Sequence, residues 1–225
     1  MALINLIAHI SLANFSSNDI EQFLSSNPQF VQSEEQGRIC LSGIVIFEAD
    51  GKKYDFKIKI CSTENYPFRF PKVFELSDKI KKIADWHINS DESFCFTVEP
   101  IEVIACKSGI SLPDFYEKWL MPYLSNQQYR INEGKYANGE YSHNVLGLYE
   151  YYVELLKTKD IRLIEKYLGV ALSKKKIERT SFCYCGSGVK YRHCHKEATS
   201  QLWQSGDEVL EKHLVLFRSI ISKLN

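Results

Sequence analysis

The chain has 225 residues, of which 28 are basic and 28 are acidic, so its formal net charge is zero. Hydrophobic residues make up 44% and charged residues 25%, the balance of a soluble globular protein that can form one domain and a small second one. A neutral chain is not expected to bind nucleic acid or membrane surfaces broadly, and no apolar run approaches the ~20 residues that span a bilayer. Residues 1–7 lack a basic segment and a small-residue cleavage site, so we expect no signal peptide.

The first half of the chain predicts one short helix followed by strands. Ser16 is a suitable N-cap for a helix that ends at Asn27-Pro28. Asp50-Gly51 is a hairpin signal between two apolar segments, and the proline-containing turn at 65–71 interrupts the sheet pattern. The predicted strands are 39–47, 54–60 and 73–76. This order of elements indicates an α+β fold with an antiparallel β-meander.

A polar segment with a single cysteine, residues 86–96, follows the predicted strands. A cysteine between a sheet and a helical region lies where loops carry chemistry on a rigid scaffold. Cys95 is therefore a candidate nucleophile, and the alternative is a buried structural thiol, since free cysteine is commonly buried. Asp91, Glu92 and Glu99 are close in sequence, and negative neighbours should discourage ionisation of the thiol.

The remaining cysteines of the first half are interpreted as structural. Cys40 and Cys61 lie inside strand patterns and are expected in the core. Cys106 lies in the segment 98–111, which shows no regular pattern, and a second reactive thiol is the alternative there. The spacing of the seven cysteines does not suggest a disulfide framework, so a reducing cytoplasm is the expected location.

From Leu112 onward the apolar period becomes helical. Pro113 suits a helix start, and Asp160 suits an N-cap. Residues 132–143 form a predicted polar loop, and the basic run at 173–176 is a predicted linker. The predicted helices begin at Leu112, Val145 and Asp160, and an amphipathic helix carries the apolar residues between Leu202 and Ile221.

Four motifs in the first half, in the same order, resemble ubiquitin-conjugating (UBC-fold) enzymes. Residues 41–45 are similar to the first strand of that family, and Tyr-Pro-Phe-Arg-Phe-Pro-Lys-Val at 66–73 is similar to its proline-rich signature. His87-Ile88-Asn89 stands where the family has His-Pro-Asn, and Ser93-Phe94-Cys95-Phe96 stands where it has the catalytic cysteine. The resemblance covers roughly residues 15–125 and implies a UBC-like antiparallel β-meander flanked by helices.

The resemblance also implies a transferase activity. Cys95 would form a thioester with the C-terminus of a ubiquitin-like modifier or another partner protein, delivered by an adenylating activating enzyme or its equivalent. Asn89 would orient the loop or donate a hydrogen bond to the oxyanion, and His87 would brace the loop. The loop at 139–143 is more similar to bacterial members of the fold, some of which are encoded beside antiviral nucleotidyltransferases. A non-catalytic adaptor with the same fold is the alternative.

Three cysteines and a histidine lie within thirteen residues near the end of the chain. Three thiolates and one imidazole are a ligand set of structural zinc, and four protein ligands leave no position for a catalytic water. Gly186 and Gly188 permit the tight turn between the ligand pairs, and His193 competes for the fourth position. The candidate ligands are Cys183, Cys185, Cys194 and His195.

The sequence Cys-x-Cys-Gly-Ser-Gly-x-Lys-Tyr-x-x-Cys-His at 183–195 resembles the SEC-C zinc module of the bacterial protein-translocation ATPase and many other bacterial proteins. The resemblance implies that the four candidate ligands hold a structural Zn²⁺. Lys190, Tyr191 and Arg192 form either an exposed surface for a protein or RNA partner or a solvated face. A chaperone or translocation adaptor is a third possible function.

Together the motifs predict three regions. Residues 1–157 are the predicted conjugating domain, 158–178 a connecting helix with a basic linker, and 179–225 the SEC-C module with a C-terminal helix.

Overall fold

The computed structural model describes residues 15–137 and 141–224, which form two compact units. The first unit contains the described residues up to Phe96 and those from Ala105 to 137, and the second contains Thr97–Ile104 and the residues from Tyr141 onward. Residues 1–7, which are predicted not to be a signal peptide, and Gly139 of the predicted 139–143 loop lie outside the described residues. The predicted limits of the conjugating domain stay a prediction.

The chain is mixed α/β: one helix comes first, four consecutive strands follow, and the later elements are helical. The strands are β1 (Val31–Glu35), β2 (Arg38–Ala49), β3 (Lys52–Cys61) and β4 (Lys72–Glu75). The helices are α1 (Ser17–Ser26), α2 (Glu99–Ala105), α3 (Leu112–Phe115), α4 (Met121–Glu133), α5 (Asn144–Leu156), α6 (Ile161–Leu172), α7 (Lys196–Gln204) and α8 (Asp207–Lys223). Within the described residues, none of these helices has the length and apolar character that crossing a bilayer requires.

The first unit is built on an antiparallel four-stranded sheet in the order β1-β2-β3-β4. Asp50 and Gly51 join β2 to β3, with φ of 51° and 70°, which is the backbone that a tight two-residue hairpin requires. The predicted hairpin and the strand at β4 are confirmed. Strand β1 was not predicted, because its sequence Val-Gln-Ser-Glu-Glu is exposed throughout and has no apolar alternation.

Helices cover one face of this sheet. Ser16 caps α1 by accepting a hydrogen bond from the Asp19 amide at 3.0 Å, as its position predicts. Helix α3 continues through a π-helical turn, Tyr116–Leu120, into α4, whose C-cap is Gly134 with φ 73°. The fully buried core between sheet and helices contains Leu41, Val45, Phe56, Ile58, Ile60, Val73, Leu112, Phe115, Leu120 and Leu124.

Cys40 and Cys61 are buried in the sheet, as predicted for core residues. They are direct neighbours in the β2–β3 register, and their sulfur atoms are joined in a disulfide with a Cα–Cα distance of 4.2 Å. This disulfide is not predictable from the sequence, because the facing of two cysteines depends on strand register rather than on sequence spacing.

The second unit is helical. Helices α5, α6, α7 and α8 enclose a core that includes Tyr152, Ile164, Tyr167, Leu168, Leu210 and Phe217. Asp160 caps α6 as predicted, accepting from the Arg162 amide at 2.9 Å. The single amphipathic helix predicted around 202–221 is wrong, because the chain breaks at Ser205-Gly206, where Gly206 has φ 86°.

The segment 98–111 also differs from the prediction, because it contains α2. Glu99 of this helix accepts hydrogen bonds from Lys212 at 2.7 Å and from His213 Nε2 at 3.1 Å. His213 is buried, and its Nδ1 lies 2.7 Å from the hydroxyl of Tyr152. The helix is therefore fixed by partners more than a hundred residues later, which local periodicity does not reveal.

Candidate functional site

Residues 86–96, the cysteine loop, form a small hairpin at the end of the sheet region. Ile88 and Phe94 form an antiparallel bridge, and the Asn89 amide donates to the Ser93 carbonyl at 2.8 Å. The Cys95 amide donates to the His87 carbonyl at 2.8 Å. These bonds hold both ends of the loop together and fix the backbone of the cysteine.

The rest of the first unit anchors this loop. The Phe94 amide donates to the Val73 carbonyl of β4 at 2.8 Å, and the Tyr123 hydroxyl of α4 donates to the His87 carbonyl at 2.8 Å. Gln127 donates from Nε2 to the Trp86 carbonyl at 2.9 Å. The loop is thus tied to both the sheet and the helix, although its sequence is polar.

The Cys95 side chain is partly buried, and its sulfur lies within 4.8 Å of a ring nitrogen of His87. His87 adopts the left-handed backbone conformation, with φ 52° and ψ 43°, where the chain leaves a short 3₁₀ turn at Ala84–Trp86. Its ring packs on Tyr136 with a centroid distance of 5.1 Å. The predicted pair Cys95 and His87 is therefore brought together.

Asn89 uses its side chain inside the loop. Both amide hydrogens are engaged, because Nδ2 lies 3.1 Å from the Ser93 hydroxyl and 3.1 Å from the Phe94 carbonyl oxygen. Of the two roles that the resemblance implied for Asn89, this geometry favours the orientation of the loop.

The acidic residues near Cys95 are paired with lysines from other parts of the chain. Asp91 lies 2.5 Å from Lys72, and Glu92 lies 2.8 Å from Lys82. Partial burial alone would raise the pKa of Asp91, but hydrogen bonds from Lys72 and Ser93 lower it to about 2. The negative charge inferred from sequence neighbours is thus balanced by cations that are distant in sequence.

The second unit contains the other site, a cluster of three sulfur atoms and one imidazole. Its potential ligand atoms lie within 4.8 Å of one another. The cluster residues are Cys183, Cys185, Cys194 and His195. His193 is outside the cluster, and its Nε2 accepts a hydrogen bond from Arg192 at 2.9 Å.

The distances within the cluster fit a small tetrahedral metal ion. Cys185 Sγ lies 3.6 Å from Cys194 Sγ, and Cys183 Sγ lies 3.4 Å from His195 Nδ1. Zinc bonds of ~2.3 Å to sulfur and ~2.0 Å to nitrogen in a tetrahedron give ligand separations of roughly 3.5–3.8 Å. Cys194 Sγ is closer to Nδ1, at 3.0 Å. A metal ion therefore fits the set after a small adjustment at this pair.

Local backbone structure explains why these residues converge. The Cys183 amide donates to the Val189 carbonyl at 2.8 Å, which closes a loop around the glycines. Gly186 and Gly188 have φ of 81° and 72°, a region that favours glycine. A 3₁₀ turn at Tyr191–His193 then delivers Cys194 back to the first pair.

The thiols of the cluster differ in their ionisation. Burial raises the pKa of Cys183. Burial acts in the same direction on Cys185, but hydrogen bonds from Ser187 outweigh it and lower the pKa of that thiol. A bound cation would deprotonate the coordinating thiols, and Cys185 is easier to convert into a thiolate ligand than Cys183.

Two groups that orient the cluster were missed by the sequence analysis. The Leu156 carbonyl lies 2.9 Å from His195 Nε2, and the Tyr167 hydroxyl lies 2.7 Å from His195 Nδ1. Both lie outside the cysteine-rich motif, and an apolar periodicity that places Tyr167 in a helix core does not reveal its hydroxyl contact.

The cluster lies in a segment that matches a known protein family. Residues 179–197 match the family described as the SEC-C motif. The match covers the four residues that could bind a metal ion, which confirms the resemblance predicted for this part of the chain. A search of curated proteins finds no match to the chain.

Proposed function

We propose that the protein is a ubiquitin-conjugating-like transferase whose first unit has a UBC-like fold. It carries the C-terminal acyl group of a modifier or partner protein as a thioester on Cys95. The observation that carries this proposal is the placement of Cys95 on a hairpin tied to β4 and α4, with a ring nitrogen of His87 within 4.8 Å of its sulfur. A backbone fixed in this way suits a thiol that must meet a large acyl donor in one orientation.

The proposed reaction has two steps. The Cys95 thiolate attacks the carbonyl carbon of an acyl adenylate or of a thioester held by an activating enzyme. A carbon–sulfur bond forms, and the leaving AMP or thiolate keeps the electron pair of the broken bond. An acceptor amine then attacks the new thioester, the carbon–nitrogen bond forms as the carbon–sulfur bond breaks, and the amine proton passes to solvent.

The loop residues have supporting roles in this proposal. Asn89 holds the hairpin through Ser93 and Phe94, and His87 supplies the carbonyl that receives the Cys95 amide. Resemblance to bacterial members of the fold supports a role beside an antiviral nucleotidyltransferase, with the acyl donor supplied by a separate adenylating enzyme.

For the second unit we propose a structural Zn²⁺. The support is the donor set of three thiols and one imidazole, which is a closed structural zinc set. The ion would stiffen the loop between Cys183 and His195. Val189 of this loop and the adjoining Phe182 are exposed to solvent. Exposed apolar side chains beside a fixed loop suit a surface that selects a protein partner.

A non-catalytic adaptor is the second candidate function. Two observations favour it: both amide hydrogens of Asn89 are engaged within the loop, and exposed Phe182 and Val189 suit partner binding. In that case the first unit would bind a modifier without a covalent step, and the SEC-C module would recruit the second partner.

Non-reducing mass spectrometry tests the covalent step. The protein is co-expressed with the products of adjacent genes and compared as wild type, Cys95→Ala and Cys106→Ala. Cys106 is a matched control because it is a buried cysteine of the same unit that forms no disulfide. We expect a thiol-sensitive adduct in wild type and Cys106→Ala but not in Cys95→Ala. An adduct that survives Cys95→Ala would exclude this cysteine, and a non-covalent complex without an adduct would favour the adaptor.

A further inference from the structure

The imidazole of His195 is held in one tautomer by a group outside the SEC-C match. Its Nε2 lies 2.9 Å from the carbonyl oxygen of Leu156, the last residue of α5. A carbonyl can only accept, so Nε2 carries the proton and donates it. The lone pair of the ring is then on Nδ1, which faces the sulfurs of Cys183 and Cys194 at 3.4 and 3.0 Å.

Tyr167 of α6 is the second such group. Its side chain is fully buried, yet its hydroxyl lies 2.7 Å from Nδ1 and 3.0 Å from Nε2 of His195 and hydrogen-bonds the Cys185 side chain. The tyrosine ring also packs on the imidazole with a centroid distance of 4.5 Å. One hydroxyl in the helical core therefore contacts two of the four potential ligands.

We propose that the Leu156 carbonyl and Tyr167 are positioning groups of the metal site. The carbonyl selects Nδ1 of His195 as the ligand atom, the Tyr167 hydroxyl holds Cys185, and together they couple metal binding to helices α5 and α6. This inference rests on the metal site in the proposed function and is independent of the chemistry at Cys95. It extends the functional metal site beyond residues 179–197 into the core of the second unit.

His195 and Cys185 each have a hydrogen-bonding partner outside the metal cluster. A metal-ligating histidine donates its other ring N–H to an acceptor, which fixes the ring orientation, and Leu156 provides that acceptor. When Nδ1 binds a cation, the Tyr167 hydroxyl retains Cys185, whose thiolate is a stronger acceptor than a thiol. Removal of such partners typically lowers metal affinity about 10- to 100-fold.

The chain offers a closely matched control. Tyr152 is also fully buried in this unit, and its hydroxyl lies 2.7 Å from Nδ1 of a histidine, His213, which is outside the metal cluster. Tyr152→Phe and Tyr167→Phe each remove one hydroxyl that lies 2.7 Å from Nδ1 of a histidine. They differ in whether the histidine is a potential metal ligand.

The first test measures Zn²⁺ affinity by competition with a chelator for the full chain and both variants. We expect Tyr167→Phe to weaken binding about 10-fold or more and Tyr152→Phe to remain within about threefold of wild type. Equal losses in the two variants, or no loss in Tyr167→Phe, would overturn the inference. A wild-type chain that binds no Zn²⁺ would overturn both the inference and the proposed zinc site, and it would leave the Cys95 adduct experiment unaffected.

The second test needs no variant, so it holds even if Tyr167→Phe fails to fold. In wild type loaded with ¹¹³Cd²⁺, ligation through Nδ1 gives three-bond coupling between cadmium and only the Hε1 proton of His195. Ligation through Nε2 would couple cadmium to both Hε1 and Hδ2. Coupling to Hε1 alone is the expected result, and coupling to both protons would overturn the selection of Nδ1.

Discussion

The cysteine loop and the metal cluster differ in where their supporting residues lie along the chain. The backbone around Cys95 is fixed by Val73 and Tyr123, which belong to a strand before the loop and a helix well after it. The cluster in the second unit gathers its four potential ligands from only thirteen residues, 183–195. A short motif can therefore encode a metal site, whereas the position of Cys95 depends on the packing of a whole unit.

Metal removal tests the metal cluster, whose potential ligands are close together in sequence. It should have the largest effect. Binding of structural zinc contributes about 10–16 kcal/mol in small zinc modules, so its loss should unfold the cluster region. We expect a strong chelator to abolish hydrogen-exchange protection at 179–197 and to reduce it at the facing ends of α5 and α6. Amides of β2 and β3 should keep their protection.

The sheet amides provide the internal control for this experiment. If chelation removed the protection of β2 and β3 as well, the two units would unfold together, and the separation of the two sites would be contradicted. If protection at 179–197 did not change, the cluster would not depend on a metal ion for its structure.

Truncation of Phe94 tests whether the cysteine loop depends on contacts with residues that are distant in sequence. Its ring is 4% exposed and stacks on Tyr123 with a centroid distance of 4.5 Å. Phe94→Ala should lower the free energy of unfolding of the first unit by about 3–5 kcal/mol, measured by urea denaturation. The alkylation rate of Cys95 should rise, because the loop loses its packing on α4.

Phe68→Ala is the matched control, since this phenylalanine of the same unit is 61% exposed. It should change stability by less than about 0.5 kcal/mol and leave the alkylation rate of Cys95 unchanged. Equal effects of the two substitutions on that rate would show that the loop does not depend on the packing of Phe94.

The smallest effect is expected from Asp91 in the cysteine loop. Hydrogen bonds from Lys72 and Ser93 lower the pKa of Asp91 to about 2, from an ordinary value of 3.8. The stabilisation from this carboxylate is complete above about pH 4 and is lost as the pH falls through about 2. The side chain is 43% exposed, so screening keeps the effect below about 1 kcal/mol.

Urea denaturation at two pH values checks this prediction. Asp91→Asn should be less stable than wild type at pH 7, and the difference should shrink near pH 2.5. A difference that stayed constant or grew with falling pH would show that Asp91 acts through packing rather than through its charge.

Much of the fold is predictable because the controlling residues are neighbours in sequence. Asp50-Gly51 defines a hairpin by turn chemistry, Asp160 begins α6 as a cap, and alternation along β3 indicates one buried face. The potential metal ligands were identified in the same way, since the donor types and spacing of 183–195 are sufficient. In each case a few adjacent side chains determine the backbone.

The unpredicted features depend on contacts between distant residues. Strand β1 is held by its pairing with β2, not by an apolar pattern, and the Cys40–Cys61 disulfide follows from strand register. The lysines opposite Asp91 and Glu92 come from other segments, so the sequence analysis overestimated the negative charge near Cys95. Contacts between distant segments leave no recognisable pattern in a short stretch of sequence.

The position of Glu99 has a consequence for the timing of synthesis. Its partners Lys212 and His213 follow it by 113 and 114 residues. A ribosome that adds about 5–20 residues per second needs roughly 6–23 seconds to reach them. Throughout that interval α2 lacks its later partners, so nascent-chain proteolysis should cut near α2 and should cease there once α8 has been made.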